Sequence, residues 1–143
     1  MTRRAPGSTL LPCTTRFRSS QLVSELISIE RIPRLAASAR TALDSFGITN
    51  VVVYLGDGTC GRPDLAPFDR IVVTAGGPEV PKALLDQLTP GGMLVGPVGE
   101  RRAQLLTRIR ARPDNRFTRE VLGECDFVDL IGQNGWQIGR AHV

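Results

Sequence analysis

The chain of 143 residues contains no run of eighteen or more apolar residues, and no charged start leads into an apolar stretch with a small-residue cleavage site. Neither a membrane-spanning helix nor a signal peptide is therefore expected, and the cytoplasm is the expected compartment. Cysteine and histidine are scarce. Cys13, Cys60 and Cys125 share no C-x-x-C spacing, and His142 is the single histidine, so neither a zinc cluster nor a disulfide framework is expected and no metal is assigned. A glycine-rich phosphate loop is also lacking. Nucleotide-binding α/β domains carry one about 20 residues upstream of a strand-end acid that holds a ribose. The stretch ISIERIP, Ile27 to Pro33, has such a strand and acid, but the window upstream reads APGSTLLP with Gly7 alone.

Charge excludes another class. Lys+Arg number 18 against Asp+Glu 14, a formal net charge of +4. Arg3, Arg4, Arg16, Arg18 and Arg140 lie in the end segments, whereas all 14 acids lie between residues 21 and 136, leaving that middle near neutral. A nucleic-acid footprint belongs on the folded domain, so no nucleic-acid partner is expected.

The ends do not read like the middle. Residues 1 to 20, MTRRAPGSTLLPCTTRFRSS, show neither helical nor strand periodicity. TLLPCTTRFRS and the tail QIGRAHV, residues 137 to 143, resemble translated sequencing-adapter reads. The expectation is a non-native, disordered arm over 1–20, a domain over 21–136 and a non-native tail over 137–143.

What is present in the middle alternates between strands and helices. LISI, stopping at Glu30, is a strand-length apolar run. Pro33 suits a first helical turn, Ile32, Leu35, Ala39, Leu43 and Phe46 recur at helical steps, and Gly47 supplies the stop. NVVVYL predicts a second strand ending at Gly56-Asp57-Gly58, and FDRIVVT a third. PEVPKALLDQL reads as a helix with Val80, Leu84, Leu85 and Leu88 on one side, ended by TPGG, and MLVGPV begins a fourth strand. AQLLTRIRA, the turn RPDNR and FTREVLGECDFVDLI predict an antiparallel hairpin at the sheet edge. The fold class is α/β with a largely parallel sheet.

ERIP, GDG, APFD, TAGGPEVP, LLDQLTPGG and the PVG turn, in this order and at nearly this spacing from about Leu22 to Trp136, resemble the protein-L-isoaspartate (D-aspartate) O-methyltransferase family. The resemblance implies a class I S-adenosylmethionine-dependent methyltransferase sheet, Rossmann-like, lacking its first strand. That strand, the glycine-rich cofactor loop and a substrate loop would precede Leu22, where nothing matches. S-adenosylmethionine is the implied cofactor. Matching positions imply cofactor contacts at Glu30 (ribose hydroxyls), Arg31, Asp57 and Gly58 (adenine), Thr59 and Thr74. Ala75, Gly76 and Ile131 are implied beside the substrate, within a Phe127–Gly132 segment that closes over the site. The family usually has proline where Asp129 stands, and often alanines at the positions of Gly76 and Gly77.

The implied reaction methylates the α-carboxylate of isoaspartyl and D-aspartyl residues in damaged proteins. That carboxylate, with a reference pKa of about 3.5, is ionised at neutral pH, so no general base is required and no catalytic residue is assigned. The partners are isoaspartyl proteins and peptides, and a monomer is expected. This chain alone is expected to be marginally stable and inactive. Two other readings stand beside this one: an NAD-binding Rossmann oxidoreductase domain, since its strand-end acid also holds a ribose, and a methyltransferase-like module kept for protein binding. Glu30 alone reads as a solvated acid favoured by a helix N-terminus, and Gly56-Asp57-Gly58 alone as a turn. Cys60 and Cys125 read as a loop thiol and a small packed residue, and nothing is read into Trp136.

Overall fold

The structure, a computed structural model, describes residues 19–139. Six strands form: β1 (Leu26–Glu30), β2 (Val51–Leu55), β3 (Phe68–Val72), β4 (Leu88–Glu100), β5 (Ala103–Ala111) and β6 (Phe117–Cys125). Helix α1 covers Pro33–Ser45, a single 3-10 turn covers Gly58–Cys60, and a single α turn, α2, covers Lys82–Leu85. Among the described residues the strands make two sheets. β1 pairs in parallel with β2, and a four-stranded sheet runs β3-β4-β5-β6.

Within the larger sheet β3 and β4 are parallel, whereas β4, β5 and β6 are antiparallel, so the expected edge hairpin is present. No described strand lies between β1 and β3. Side chains bridge that gap instead: Ile27 and Ile29 of β1 share one buried cluster with Phe68, Ile71, Leu84, Leu88 and Leu94. A second cluster, Ala36, Ala39, Leu43 and Val53, seats α1 on the smaller sheet.

Helix α1 starts where proline costs least, with Ile32 as an extended N-cap and Pro33 in the first turn, and ends before Gly47 at φ +66°. Its buried stripe differs from the expected one. Ala36, Ala39 and Leu43 face the sheet, while Leu35 and Phe46 are exposed. Two alanines let the helix approach closely enough for Arg40 to donate through Nε (2.9 Å) and NH2 (2.6 Å) to the Val53 carbonyl.

The second expected helix shrinks to one turn. Pro81 sits at its N-cap, and the chain after it is drawn elsewhere. Buried Gln87 accepts from the Arg62 amide (2.9 Å) and donates to the Cys60 carbonyl (2.9 Å), while its own carbonyl accepts from Phe68 N. Leu88, expected on the helix, begins β4 opposite Phe68. Thr89-Pro90-Gly91-Gly92 is thus a bulge inside β4 rather than a helix stop. Gly91 at φ +81° makes the excursion, and the register resumes at Arg70 and Met93.

Candidate functional site

The C-terminal ends of β1 and β3 both line one cleft of about 310 Å³. Crevices at the carboxyl ends of parallel strands are where open α/β sheets take ligands. One wall is Ile29 to Ile32, a second is Ile71 to Ala75, and a third is Val128 to Ile131, with Leu35, Gly58 and Leu84 completing the lining. Six of the nine residues singled out from the sequence therefore share one cleft: Glu30, Arg31, Gly58, Thr74, Ala75 and Ile131. Asp57, Thr59 and Gly76 stand immediately behind them and are used structurally.

Glu30 ends β1, and its Oε1 accepts from the Ile32 amide at 3.0 Å, fixing the carboxylate at the turn into α1. Asp57 follows β2 and caps the 3-10 turn. Its Oδ1 accepts from Thr59 N (2.9 Å) and Thr59 Oγ1 (2.6 Å), and its Oδ2 from Gln133 N (2.7 Å). Burial alone would raise the Asp57 pKa, but hydrogen bonds from Gln133, Thr59 and Cys60 outweigh it and hold the group below 3.8. Thr59 is fully buried, and its Oγ1 also accepts from Asn134 N (3.0 Å). A carboxylate offers about four acceptor directions. Thr59 N, Thr59 Oγ1, Gln133 N and the Cys60 thiol, 3.7 Å from Oδ2, supply four donors for these directions.

Gly76 is closed in on all sides. Its amide donates to Val128 O, and its carbonyl accepts from Leu130 N and from the Trp136 indole Nε1 at 2.9 Å. A Cβ there would overlap the Gln104 carboxamide, which explains glycine at this position. Gln104, itself buried, holds the Phe127 backbone through both ends of its amide, accepting from Phe127 N (2.9 Å) and donating to Phe127 O (3.1 Å). Asp129, in the place of the family's proline, pairs with Arg101 at 3.3 Å, and the Arg101 guanidinium lies 4.9 Å from the centre of the Trp136 ring.

Gln104, Gln133, Asn134 and Trp136 were not legible as site residues. They lie far along the chain from the residues they brace, and their partners are mostly backbone atoms, which leave no residue-type pattern. The one local signal is the pair Gly132 and Gly135: a Cβ on Gly132 would overlap the Asp57 carboxylate, and one on Gly135 the Leu130 carbonyl. Among the described residues no group of three or more His, Cys, Asp or Glu could hold a metal ion.

Comparison with known proteins agrees with this architecture. The chain is 50% identical over 119 residues to a protein-L-isoaspartate O-methyltransferase of Trichlorobacter lovleyi, an alignment covering 83% of this chain and 55% of that one. A solved protein-L-isoaspartate O-methyltransferase superposes with a TM-score of 0.79 at 26% identity, covering 90% of this chain and 43% of the other. A putative relative from Plasmodium falciparum, solved in complex with S-adenosyl-L-homocysteine, shares the fold at a TM-score of 0.67 and 22% identity. The chain spans about half the length of the curated relatives it matches. The family model for protein-L-isoaspartate (D-aspartate) O-methyltransferase matches residues 13–135, a match that begins within the first twenty residues and takes in both sheets and the cleft between them, and the chain belongs to that family.

Proposed function

We propose that the protein transfers a methyl group from S-adenosylmethionine to the α-carboxylate of L-isoaspartyl and D-aspartyl residues in damaged proteins, as a step in their repair. The observation that carries this reading is the cleft at the ends of β1 and β3, where Glu30, Gly58, Thr74 and Ala75 converge. Its volume falls at the lower end of the range for small-molecule sites, about 300–1,000 Å³.

These residues fit the cofactor. The Glu30 carboxylate is an acceptor at a strand end, suited to ribose hydroxyls, and Arg31 follows at the same rim. At Gly58 the backbone can approach an adenine, and the hydrogen-bonded Asp57 carboxylate fixes the turn that presents it. When bound, S-adenosylmethionine supplies an electrophilic methyl. Thr74 and Ala75 border the space where the carboxylate would lie, with Ile131 opposite. Thr59 and Gly76 act behind this surface, as braces.

The nucleophile needs no activation, because a carboxylate of pKa about 3.5 is ionised at neutral pH. The protein's task is then alignment, which can supply on the order of 7–11 kcal/mol of the barrier. The unit that does this within the chain runs from 21 to 136, and it acts in the cytoplasm as a monomer on isoaspartyl proteins and peptides. The chain by itself is expected to be inactive, since β1 and β3 have no described strand to join them. The test is a methyl-ester assay with an isoaspartyl peptide on the gene's complete product, with Glu30→Ala and Asp57→Ala as controls. Methylation that both substitutions reduce at least tenfold supports the reading. Absence of ester formation, or indifference to both substitutions, contradicts it.

A further inference from the structure

The segment from Phe127 to Trp136 contributes no regular strand, yet it touches both sheets. Gln104 grips it at Phe127, from β5. Gly76, just beyond β3, pairs with Asp129 and takes the Trp136 indole N–H. Before that last anchor Gln133 N and Asn134 N donate to Asp57 and Thr59, which follow β2 in the other sheet, and Asn134 Nδ2 reaches the Thr59 carbonyl at 3.3 Å. Between these anchors Val128, Asp129, Leu130 and Ile131 form the third wall of the cleft. The geometry is that of a strap fastened to the larger sheet at two places and to the smaller sheet at one.

We propose that the strap is a latched wall of the cleft, and that Asp57 and Thr59 are positioning residues whose hydrogen bonds to Gln133 and Asn134 fasten it to the smaller sheet. The anchor is specific in its chemistry. Thr59 Oγ1 donates to Asp57 and accepts from Asn134, using one hydroxyl in both directions, and it does so with no solvent exposure. A methyl in place of that hydroxyl removes both bonds and leaves the Asn134 amide without its partner. The other anchors do not depend on it, because Gln104 on β5 holds the Phe127 backbone and the Trp136 indole donates to the Gly76 carbonyl beyond β3. Breaking the latch therefore frees the turn at Gln133 and Asn134 from the smaller sheet and loosens the wall at Leu130 and Ile131, while Gln104 and Trp136 still hold both ends of the strap to the larger sheet. The proposal does not depend on the chemistry assigned above, since it concerns the wall and not what the wall encloses.

Amide hydrogen exchange on the full chain tests it. Thr59→Val is expected to speed exchange at Gln133 and Asn134 by about tenfold or more, the scale of one or two net hydrogen bonds, while amides of β4 and β5 keep their rates. Thr59→Ser, which restores the hydroxyl, is expected to return Gln133 and Asn134 to within about threefold of the parent chain. Gly132→Ala is the second variant, because its new Cβ would displace the Asp57 carboxylate from the strap side, and the same local acceleration is expected. Exchange at Gln133 and Asn134 that is unchanged in both Thr59→Val and Gly132→Ala overturns the proposal. So does acceleration that spreads equally through β4 and β5, or a Thr59→Ser chain that behaves like Thr59→Val.

Discussion

At Asp57 burial and hydrogen bonding act in opposite directions on one carboxyl group, and hydrogen bonding wins. Its folded pKa lies below 3.8, so the stability it contributes is fully present above the ordinary carboxylate range and is lost as pH falls through the lowered value. An NMR titration of the Asp57 carboxyl carbon should give a midpoint below 3.8, and the Gln133 amide should stay protected from pH 7 down to about pH 4. A midpoint above 4.5 would mean that burial dominates and that the three donors are not engaged in solution. Ser28 offers the opposite case. It is fully buried in β1 opposite Val53, and its Oγ has no hydrogen-bond partner among the described residues. An unpaired buried hydroxyl costs about 1–3 kcal/mol, so Ser28→Ala should be neutral or stabilising by up to about 1 kcal/mol once lost packing is subtracted. Urea denaturation measures this, and a loss of more than about 1 kcal/mol would show that the hydroxyl has a partner.

At the scale of elements, the short turn α2 and the long strand β4 are set by Gln87. Its side chain satisfies one amide and one carbonyl of the 60–62 loop while its backbone starts the β3–β4 pairing. Gln87→Ala leaves both half-buried groups without this partner, and about 1–3 kcal/mol of stability should be lost in a denaturant titration. A loss under 1 kcal/mol would show that water replaces the side chain. Strands β1, β2 and β3 and helix α1 were legible because each is bounded by a local signal: an apolar run, an entering proline or an ending glycine. The length of α2 was not, because PEVPKALLDQL has helical spacing and the contacts that end the helix come from residues 60, 62 and 68. Ala39 and Leu43 are buried as expected, but Ala36 takes the place of Leu35 in the stripe of α1 for a similar reason: spacing cannot distinguish the two until the sheet selects the smaller side chain. The strap was legible only in its first half, through the resemblance at Phe127–Gly132. Its second half is defined by backbone amides that donate to side chains some 75 positions earlier, and an amide donor carries no residue-type signal.

For the whole molecule, two sheets that share side chains but no described hydrogen-bonded strand make the junction between them its weakest part. Two consequences follow from that arrangement. Exchange should be fastest in β1 and β2 and slowest in β4 and β5, which pair along most of their length. Ligand affinity should also suffer, because the cleft's walls belong to different sheets and must be ordered when a ligand binds. The central claim is that this cleft is the cofactor site. An NMR titration of the full chain with S-adenosyl-L-homocysteine tests it most directly. The account predicts amide shifts confined to the walls of the cleft and the residues beside them, Ile29–Ile32, Gly58, Ile71–Gly76 and Val128–Ile131, with a Kd weaker than about 1 μM, and their loss in Glu30→Ala. Shifts centred elsewhere, or shifts at the cleft that persist unchanged in Glu30→Ala, would contradict it.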